Sequence, residues 1–313
     1  MILTTIERDT LKIAAISDLH ILSNEDDYQF LDCIRERVEE IDPDIFVIAG
    51  DISDYLEVVS KSLEILKGIE CSRLYVPGNH DIWFEDNNGP GSLEKYTRSL
   101  DEICQKYGFT YLPNSIFIEK DTVFIGSIGW YDYSFRRPEL EIPDENYIQK
   151  EYHDAVWYDA FKIDWDYSDI EATDLFNRKL QYDLETLPSN ISQIVYISHH
   201  LPFRELTIYK NRLPWDFYSA FMGSAKTGDI LLKDKRIVLS ISGHSHVRNM
   251  ISLGNLTALT VPVGYCRPSI EELEGFVKQS VATIEMHGNN VEVTDFTQGD
   301  LCDGLPYINS REF

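Results

Sequence analysis

The sequence predicts an α/β fold in which most strands run parallel. Through the first half of the 313 residues, short apolar segments of strand length alternate with longer amphipathic segments of helix length, the pattern of successive βαβ units. One of these strands, Ile45–Ala49, is apolar at every position, as expected for a strand buried on both faces. The last third of the chain differs, because Gly-Asn pairs at 254–255 and 288–289 separate strand-like segments and predict hairpins.

The individual elements follow from hydrophobic periodicity and from turn residues. In chain order, the predicted elements are a strand at 11–17, a helix at 27–41, a strand at 45–49, a helix at 55–67, a strand at 73–76, a helix at 92–107, a hairpin at 116–126, a helix at 173–186, a strand at 193–198, a short helix at 228–233, a strand at 236–242, and two hairpins at 247–261 and 280–296. We expect all of them to belong to one domain that spans residues 1–313.

Residues 130–170 interrupt this regular pattern. Eleven tryptophan, tyrosine and phenylalanine residues lie between positions 130 and 167, with many acidic residues among them and no period of 2 or 3.6. We interpret the stretch as an irregular insertion that forms a lid or a specificity wall, in which Tyr131 stacks on a substrate ring and Arg136 binds a phosphate. The alternative is that the aromatic side chains form the insertion's own core or a dimer contact, and that Arg136 makes only surface ion pairs.

The charge balance disfavours nucleic acid as a partner. Acidic residues outnumber lysine and arginine by 53 to 28, which gives a formal charge of −25 and a surface that repels polyanions. Bound divalent ions would still make the potential of one site positive. No apolar run approaches the roughly 20 residues of a membrane span, and the first residues lack the basic start and apolar core of a secretory signal. We therefore expect a cytoplasmic protein with no membrane contact, whose assembly into homo-oligomers the sequence leaves open.

The cysteines predict no disulfide framework. They are odd in number and widely scattered, and no two have Cys-x-x-Cys spacing. We expect reduced thiols that pack as small apolar side chains. The positions concerned are Cys33, Cys71, Cys104, Cys266 and Cys302.

Candidate metal ligands follow several predicted strands at the point where each strand ends. Carboxylate, imidazole and carboxamide groups suit the divalent ions of hydrolases, and loops at strand ends can direct them toward one point. Asp18 and His20 lie two residues apart after strand 11–17, so with a strand period of two both can face one ion. Taken alone, this pair fits a polar loop equally well. Asp51, which follows Ile45–Ala49 and Gly50, is a candidate to bridge two ions.

Two later strands end in further imidazoles. His199 and His200 end the strand at 193–198, and we expect one of them to bind metal. The alternation of side chains favours His199 as the ligand, which leaves His200 to contact substrate or simply to pack. His244 and His246 follow the strand at 236–242, again two residues apart, and complete a set large enough for two ions.

The segment from Gly78 to Asp81 is the most specific of these features. It places a carboxamide ligand, Asn79, next to an imidazole, His80, that can contact a leaving group without binding metal. Asp81 is expected to orient that imidazole or to support its charge. The alternative for this segment is a polar turn. Asp54, which precedes the helix at 55–67, is expected to cap that helix because aspartate is a favoured N-cap residue.

In order and content, these strand-end blocks resemble the calcineurin-like metallophosphoesterase superfamily. The resemblance covers residues 11 to about 250 and implies a four-layer sandwich of two mixed β-sheets flanked by helices, with metals where the strand-end loops converge. The blocks that carry it are Asp18-x-His20, Gly50-Asp51, Gly78-Asn79-His80-Asp81, His199 and Gly243-His244-x-His246.

The resemblance also implies a ligand set and an activity. The activity is hydrolysis of a small phosphomonoester or phosphodiester by a hydroxide that bridges two divalent metal ions, with His80 as the catalytic histidine. Mn or Fe is the expected metal, and Zn, Ni or Co suits the same ligand types. One ion would be held by Asp18, His20 and His246 and the other by Asn79, His199 and His244, with Asp51 bridging the two.

Two other functions are compatible with the same fold. A nuclease of this superfamily would need basic patches beside the site, which the acidic composition argues against. A non-catalytic interaction scaffold would tolerate a degraded ligand set, whereas every ligand block is intact in this sequence.

Overall fold

A computed structural model describes residues 10–85 and 89–306. The strands are β1 (Leu11–Ile16), β2 (Ile45–Ala49), β3 (Ser72–Val76), β4 (Thr110–Tyr111), β5 (Phe117–Glu119), β6 (Thr122–Ser127), β7 (Glu151–Tyr152), β8 (Ala155–Val156), β9 (Gln193–Ser198), β10 (Ile237–Ser242), β11 (Met250–Leu253), β12 (Leu256–Thr260), β13 (Ala282–His287) and β14 (Asn290–Asp295). The α-helices are α1 (Glu25–Ile41), α2 (Leu56–Leu66), α3 (Asn79–Ile82), α4 (Ser92–Glu94), α5 (Leu100–Tyr107), α6 (Asp144–Gln149), α7 (Asp159–Lys162), α8 (Asp169–Thr186), α9 (Trp215–Tyr218), α10 (Ala225–Lys233) and α11 (Leu273–Ser280).

Two six-stranded mixed sheets form the centre of the fold. The first has the order β14-β13-β1-β2-β3-β4, and its strands β1 to β4 are parallel while β13 and β14 are antiparallel to their neighbours. The second has the order β11-β12-β10-β9-β6-β5, in which β12, β10, β9 and β6 are parallel and the two edge strands are antiparallel. The parallel strands of each sheet therefore end at a common edge, where loops can meet.

The two sheets pack face to face and helices cover both outer faces. Alternate residues of β1 and β2, such as Ile13 and Val47, contact apolar residues of β9 and β10, such as Val195 and Leu239, to form the core between the sheets. Helices α1, α2, α5 and α11 pack on the outer face of the first sheet, while α8 and α10 pack on that of the second. The expected four-layer sandwich is confirmed.

The sequence-predicted elements are confirmed with small shifts at their ends. Strand β2 and strand β9 have the predicted bounds, and the predicted helix 92–107 is formed by α4, the π-helical turn Lys95–Ser99 and α5. Helix α8 begins four residues earlier than predicted, because the Ser168 side chain accepts a hydrogen bond from the Glu171 amide and that glutamate bonds back to Ser168. The sequence analysis did not predict α3, α9 or α11.

The aromatic stretch is largely irregular, as predicted. It contains short helices and the two-residue strands β7 and β8, which pair as a hairpin. In the part of the chain that the structure describes, no helix is both long and apolar enough to span a bilayer. The prediction that the first residues lack a secretory signal rests in part on residues 1–9, which lie outside the described ranges.

Two of the cysteines form a disulfide, so the expectation of five reduced thiols is wrong for this pair. Cys266 follows β12 and Cys302 lies in the C-terminal segment, 36 residues further along the chain, and their Cα atoms are 5.4 Å apart. The pair has no local spacing that would have identified it. Cys33, Cys71 and Cys104 are free thiols, as expected.

Candidate metal centre

Carboxylates and imidazoles from the first, second and last predicted blocks meet at the carboxyl ends of β1, β2 and β10. Asp18, His20, Asp51 and His246 each offer one donor atom to a group whose atoms all lie within 4.8 Å of one another. Asp18 Oδ1 lies 3.2 Å from His246 Nε2, and the Nε2 atoms of His20 and His246 are 3.1 Å apart. Four donors converge on one point, which is the arrangement that a bound cation requires.

A second group shares Asp51 with the first. His199 Nε2 lies 3.1 Å from Asp51 Oδ2 and 3.1 Å from His244 Nδ1. Asn79 lines the floor of the same cavity as Asp51 and His244, and its Oδ1 atom is buried without a hydrogen-bond partner. Because an unpaired buried carbonyl oxygen is costly, the observation fits an oxygen that serves as a metal ligand. The residues present therefore suit two cations that share one carboxylate.

Three of the four cluster residues with shifted pKa values are in the protonation state that metal binding requires. Burial would raise the pKa of Asp18, but its hydrogen bond with His246 and the nearby charge of His199 outweigh burial and lower it. Burial and neighbouring imidazoles hold the pKa of His20 and of His244 well below the usual value, so both rings are neutral and have lone pairs for a metal. Asp51 overcomes the opposite effect of burial and raises the pKa of His199 to about 9, so a cation must displace that proton.

Backbone strain is concentrated at these residues. Thirteen described non-glycine residues have positive φ, and five of them belong to the candidate cluster. Each left-handed residue of this kind costs about 1–2 kcal/mol, although aspartate and histidine tolerate the region better than most. Strained residues persist where the surrounding structure holds them, and they cluster at functional sites. The five are Asp18, His20, Asp51, His244 and His246.

Two glycines of the predicted blocks are required by close packing at the cluster. Gly50 has a φ of +93°, and a Cβ atom there would lie 2.5 Å from His199 Nδ1. A Cβ atom at Gly243 would lie 2.6 Å from Asp18 Oδ2. Any side chain at either position would displace a candidate ligand.

His80 lies beside the cluster, and its partner is Asp54 rather than Asp81. The His80 Nδ1 atom is 2.8 Å from Asp54 Oδ1, and its Nε2 atom is 2.9 Å from the Tyr265 hydroxyl. Burial lowers the pKa of His80, but the carboxylates of Asp51 and Asp54 outweigh burial and raise it to about 9. The expectation that Asp54 caps the following helix is wrong, because Tyr55 occupies the N-cap position and α2 has no side-chain cap.

Asp81 stabilises the loop that carries Asp51, the carboxylate shared by the two donor groups. It is fully buried and accepts hydrogen bonds of 2.8 to 3.0 Å from the backbone amides of Asp51, Ile52, Ser53 and Gly78. Successive residues of α3 point in directions about 100° apart, so a sequence neighbour of His80 does not face its ring. The sequence analysis predicted that Asp81 contacts the His80 imidazole, and the structure does not show this contact.

Asp159 fixes the orientation of Asn79. Its Oδ1 atom accepts hydrogen bonds from Asn79 Nδ2 at 3.0 Å and from Trp83 Nε1 at 2.7 Å. Its Oδ2 atom accepts from the Tyr131 hydroxyl at 3.0 Å and from Trp157 Nε1 at 2.8 Å. Since the amide nitrogen of Asn79 is held by Asp159, its oxygen is left to face the cavity.

We expect Asp159→Asn to weaken metal binding at the Asn79 side by about 10- to 100-fold, the usual effect of losing the partner that orients a ligand. Titration of the metal-free protein with Mn²⁺ measures the two affinities. Asp169→Asn is the matched control, because Asp169 is also buried and accepts from Trp130 and Tyr133 without touching Asn79. Equal loss in both variants would mean that the insertion is merely destabilised.

The three residues that were predicted to contact substrate do not line the cavity. The His200 ring is buried between Trp130, Tyr131 and His244, and its Nε2 atom has no partner. Tyr131 is fully buried and donates to Asp159, while Arg136 pairs with Asp144. None of the three lines the cavity above the donor atoms.

A cleft of about 920 Å³ opens above the two donor groups. Its floor is formed by Asp51, Asn79, His80, His244 and His246, and Tyr265 also lines it. The sequence analysis missed Tyr265, although a signal was present. Strand β12 was predicted only as half of a hairpin, but it runs parallel to β10, so the residues that follow it reach the same edge of the sheet. The Tyr265 ring stacks on His20 with centroids 4.0 Å apart.

The chain resembles known proteins over most of its length. The model of the family described as calcineurin-like phosphoesterase matches residues 11–248. The acyl-carrier-protein phosphodiesterase PptH of Mycobacterium tuberculosis is 24% identical over 271 residues, which cover 81% of this chain and 78% of that protein. The crystal structure of the phosphopantetheinyl hydrolase PptH from the same organism has a TM-score of 0.64 at 22% identity, covering 82% of this chain and 91% of that one.

A more distant solved structure has the same fold. A dimetal phosphatase from Danio rerio has a TM-score of 0.54 at 12% identity, and the match covers 92% of this chain and 99% of the phosphatase. At this level of identity the likeness concerns the arrangement of sheets and helices.

Proposed function

Because this chain belongs to the calcineurin-like phosphoesterase family, we propose that it hydrolyses a small phosphodiester with two divalent metal ions held at the floor of the cleft. The observation that carries the proposal is the pair of donor groups that share Asp51. Asp18, His20 and His246 would hold one ion, Asn79, His199 and His244 would hold the other, and Asp51 would contribute to both.

The ions, when bound, activate the attacking water and offset negative charge on the phosphoryl oxygens. The remaining steps fall to the chain's own side chains. His80 lies beside the cluster with one ring nitrogen held by Asp54 and the other facing Tyr265, so it can give a proton to the departing oxygen once substrate replaces the tyrosine contact. In the metal-free protein, the carboxylates of Asp51 and Asp54 outweigh burial and raise the pKa of this histidine to about 9.

A diester fits better than a monoester. The mycobacterial relative is named as a phosphodiesterase. In addition, the charge of −25 favours a singly charged substrate over a doubly charged one. Mn or Fe is the proposed metal, and the mixed donors also accept Zn, Ni or Co.

The two competing functions have less support. A nuclease must bind a polyanion, and Lys and Arg do not occur among the described residues that line the cleft. A scaffold without catalysis would not need strained backbone at five candidate ligands or a histidine held beside them.

The test is to strip the protein of metal and to add back Mn²⁺, Fe²⁺, Zn²⁺, Ni²⁺ or Mg²⁺ separately. We expect Mn²⁺ or Fe²⁺ to restore turnover, with bis-p-nitrophenyl phosphate preferred over p-nitrophenyl phosphate. Absence of turnover of either ester, with two metals bound per chain, would contradict the proposal. Preference for the monoester would leave the metal centre in place and overturn the choice of a diester.

A further inference from the structure

We propose that the cleft selects phosphodiesters in which the phosphate carries a large, neutral, mainly apolar group without a second phosphate. This inference rests on the proposed function, since it assigns the substrate class of the same site. The cleft volume of about 920 Å³ lies at the upper end of the range for sites that enclose a whole small molecule. A phosphate group alone would fill only the floor, so most of this volume is available to the organic part of the substrate.

The walls of the cleft are aromatic and aliphatic. One wall is the hairpin of β7 and β8 with the residue that follows it, and Tyr152 and Trp157 line the cleft from there. A second segment contributes Leu213, Trp215 and Tyr218. The two segments pack together, because the Trp157 and Tyr218 rings have centroids 5.8 Å apart. They therefore form one continuous apolar surface that leads to the metal donors.

The tryptophans nearest the floor are held rigidly. The ring centroids of Trp83 and His80 are 3.7 Å apart, and those of Trp157 and His244 are 5.5 Å apart. Both indole nitrogens donate to Asp159, and Trp157 also stacks on Phe221. An apolar group that enters the cleft meets two fixed aromatic faces beside the proton donor and beside a metal ligand, which is a preorganised site.

The electrostatics of the cleft exclude a second phosphate. Within the described residues, the acidic and basic side chains that line it are Asp51 and Asp154, the imidazoles at the floor and the imidazole of His153 in the turn between β7 and β8. A phosphate away from the metals would need arginine or lysine to offset its desolvation, and neither lines the cleft. Nucleotides with two or more phosphates are therefore poor substrates. A neutral apolar chain or ring carries no charge whose desolvation must be offset.

The experiment compares three diesters that share p-nitrophenolate as the leaving group, using the metal-loaded protein. The other ester group is methyl, octyl, or an octyl chain that ends in a phosphate. Each buried methylene changes binding about four-fold, so burial of even two of them predicts that kcat/KM is about 15-fold higher for the octyl than for the methyl ester. The phosphate-terminated ester should lose this advantage.

Leu213→Lys tests the assignment of the wall. Leu213 is 45% exposed, so lysine is tolerated there and places a cation in the cleft. We expect this variant to raise kcat/KM for the phosphate-terminated ester by about 10-fold relative to kcat/KM for the octyl ester. Leu93→Lys is the matched control, because Leu93 is 46% exposed and lies outside the cleft lining. The control should keep the wild-type preference.

A binding measurement separates this inference from the proposed function. Octyl(methyl)phosphinate carries one charge and has no ester bond to hydrolyse. Its affinity for the metal-free protein can be measured by tryptophan fluorescence and compared with the affinity of dimethylphosphinate. Tighter binding of the octyl compound supports the cleft assignment even if no ester is turned over. Equal kcat/KM for the methyl and octyl esters together with equal binding of the two phosphinates would overturn it, while metal-dependent turnover of both esters would leave the proposed function standing.

Discussion

Asp51→Asn is expected to lose both metal ions and to reduce kcat/KM by about 10³-fold or more. The Oδ2 atom of Asp51 lies 3.1 Å from His199 Nε2 and 3.9 Å from His20 Nε2, so one carboxylate serves both donor groups. Its other oxygen accepts the backbone N–H of His80 at 2.9 Å, which also fixes the position of the proposed proton donor. An amide keeps the shape but removes the charge shared by two cations, and each bound ion stabilises the transition state by several kcal/mol.

The measurement is metal content per chain after dialysis, together with kcat/KM for bis-p-nitrophenyl phosphate. His246→Gln is the comparison variant, because His246 belongs to only one of the two donor groups. We expect it to lose one ion and to keep the other. If Asp51→Asn retained one tightly bound ion, Asp51 would not bridge, and the two sites would have separate ligands.

The positions of the candidate metal donors could be predicted because each one lies within four residues of a strand end. Asp18 and Asp51 follow parallel neighbours, β1 and β2, so their proximity follows from the fold class alone. His199 meets them because the second sheet packs face to face on the first, an arrangement that only the family resemblance implied. Strand periodicity does not contain that information, since it fixes the faces of one sheet and not how two sheets pack.

The contacts around His80 could not be predicted for a different reason. Asp54 lies in the loop after β2 and Asp81 in α3 after β3, and sequence adjacency favoured Asp81, but the direction of a side chain depends on backbone angles within a few residues. Asp159 lies 80 residues from Asn79 in a stretch without periodicity, so nothing in the sequence connects the two. The aromatic insertion was expected to act through Tyr131, whereas Tyr152 and Trp157 line the cleft and Tyr131 is buried behind them.

His80→Ala is expected to keep two metal ions per chain and to reduce kcat by about 10²- to 10⁴-fold, the usual contribution of a positioned acid. No donor atom of the two metal groups belongs to His80, so the variant separates chemistry from metal binding. The loss should depend on the leaving group. A p-nitrophenolate departs with little help, so the defect should be smaller for p-nitrophenyl esters than for the corresponding phenyl esters.

Two further variants show whether proton donation, rather than packing, accounts for the loss. The Trp83 ring packs on His80, so alanine leaves a void that His80→Gln largely refills without restoring an acid. We expect both variants to show the same dependence on the leaving group. Asp54→Asn keeps the imidazole but loses the carboxylate that orients it at 2.8 Å, and its loss should be about 10- to 100-fold. A uniform loss for both leaving groups in all three variants would assign His80 to substrate positioning, because binding the phosphate equally in every ester cannot discriminate between leaving groups.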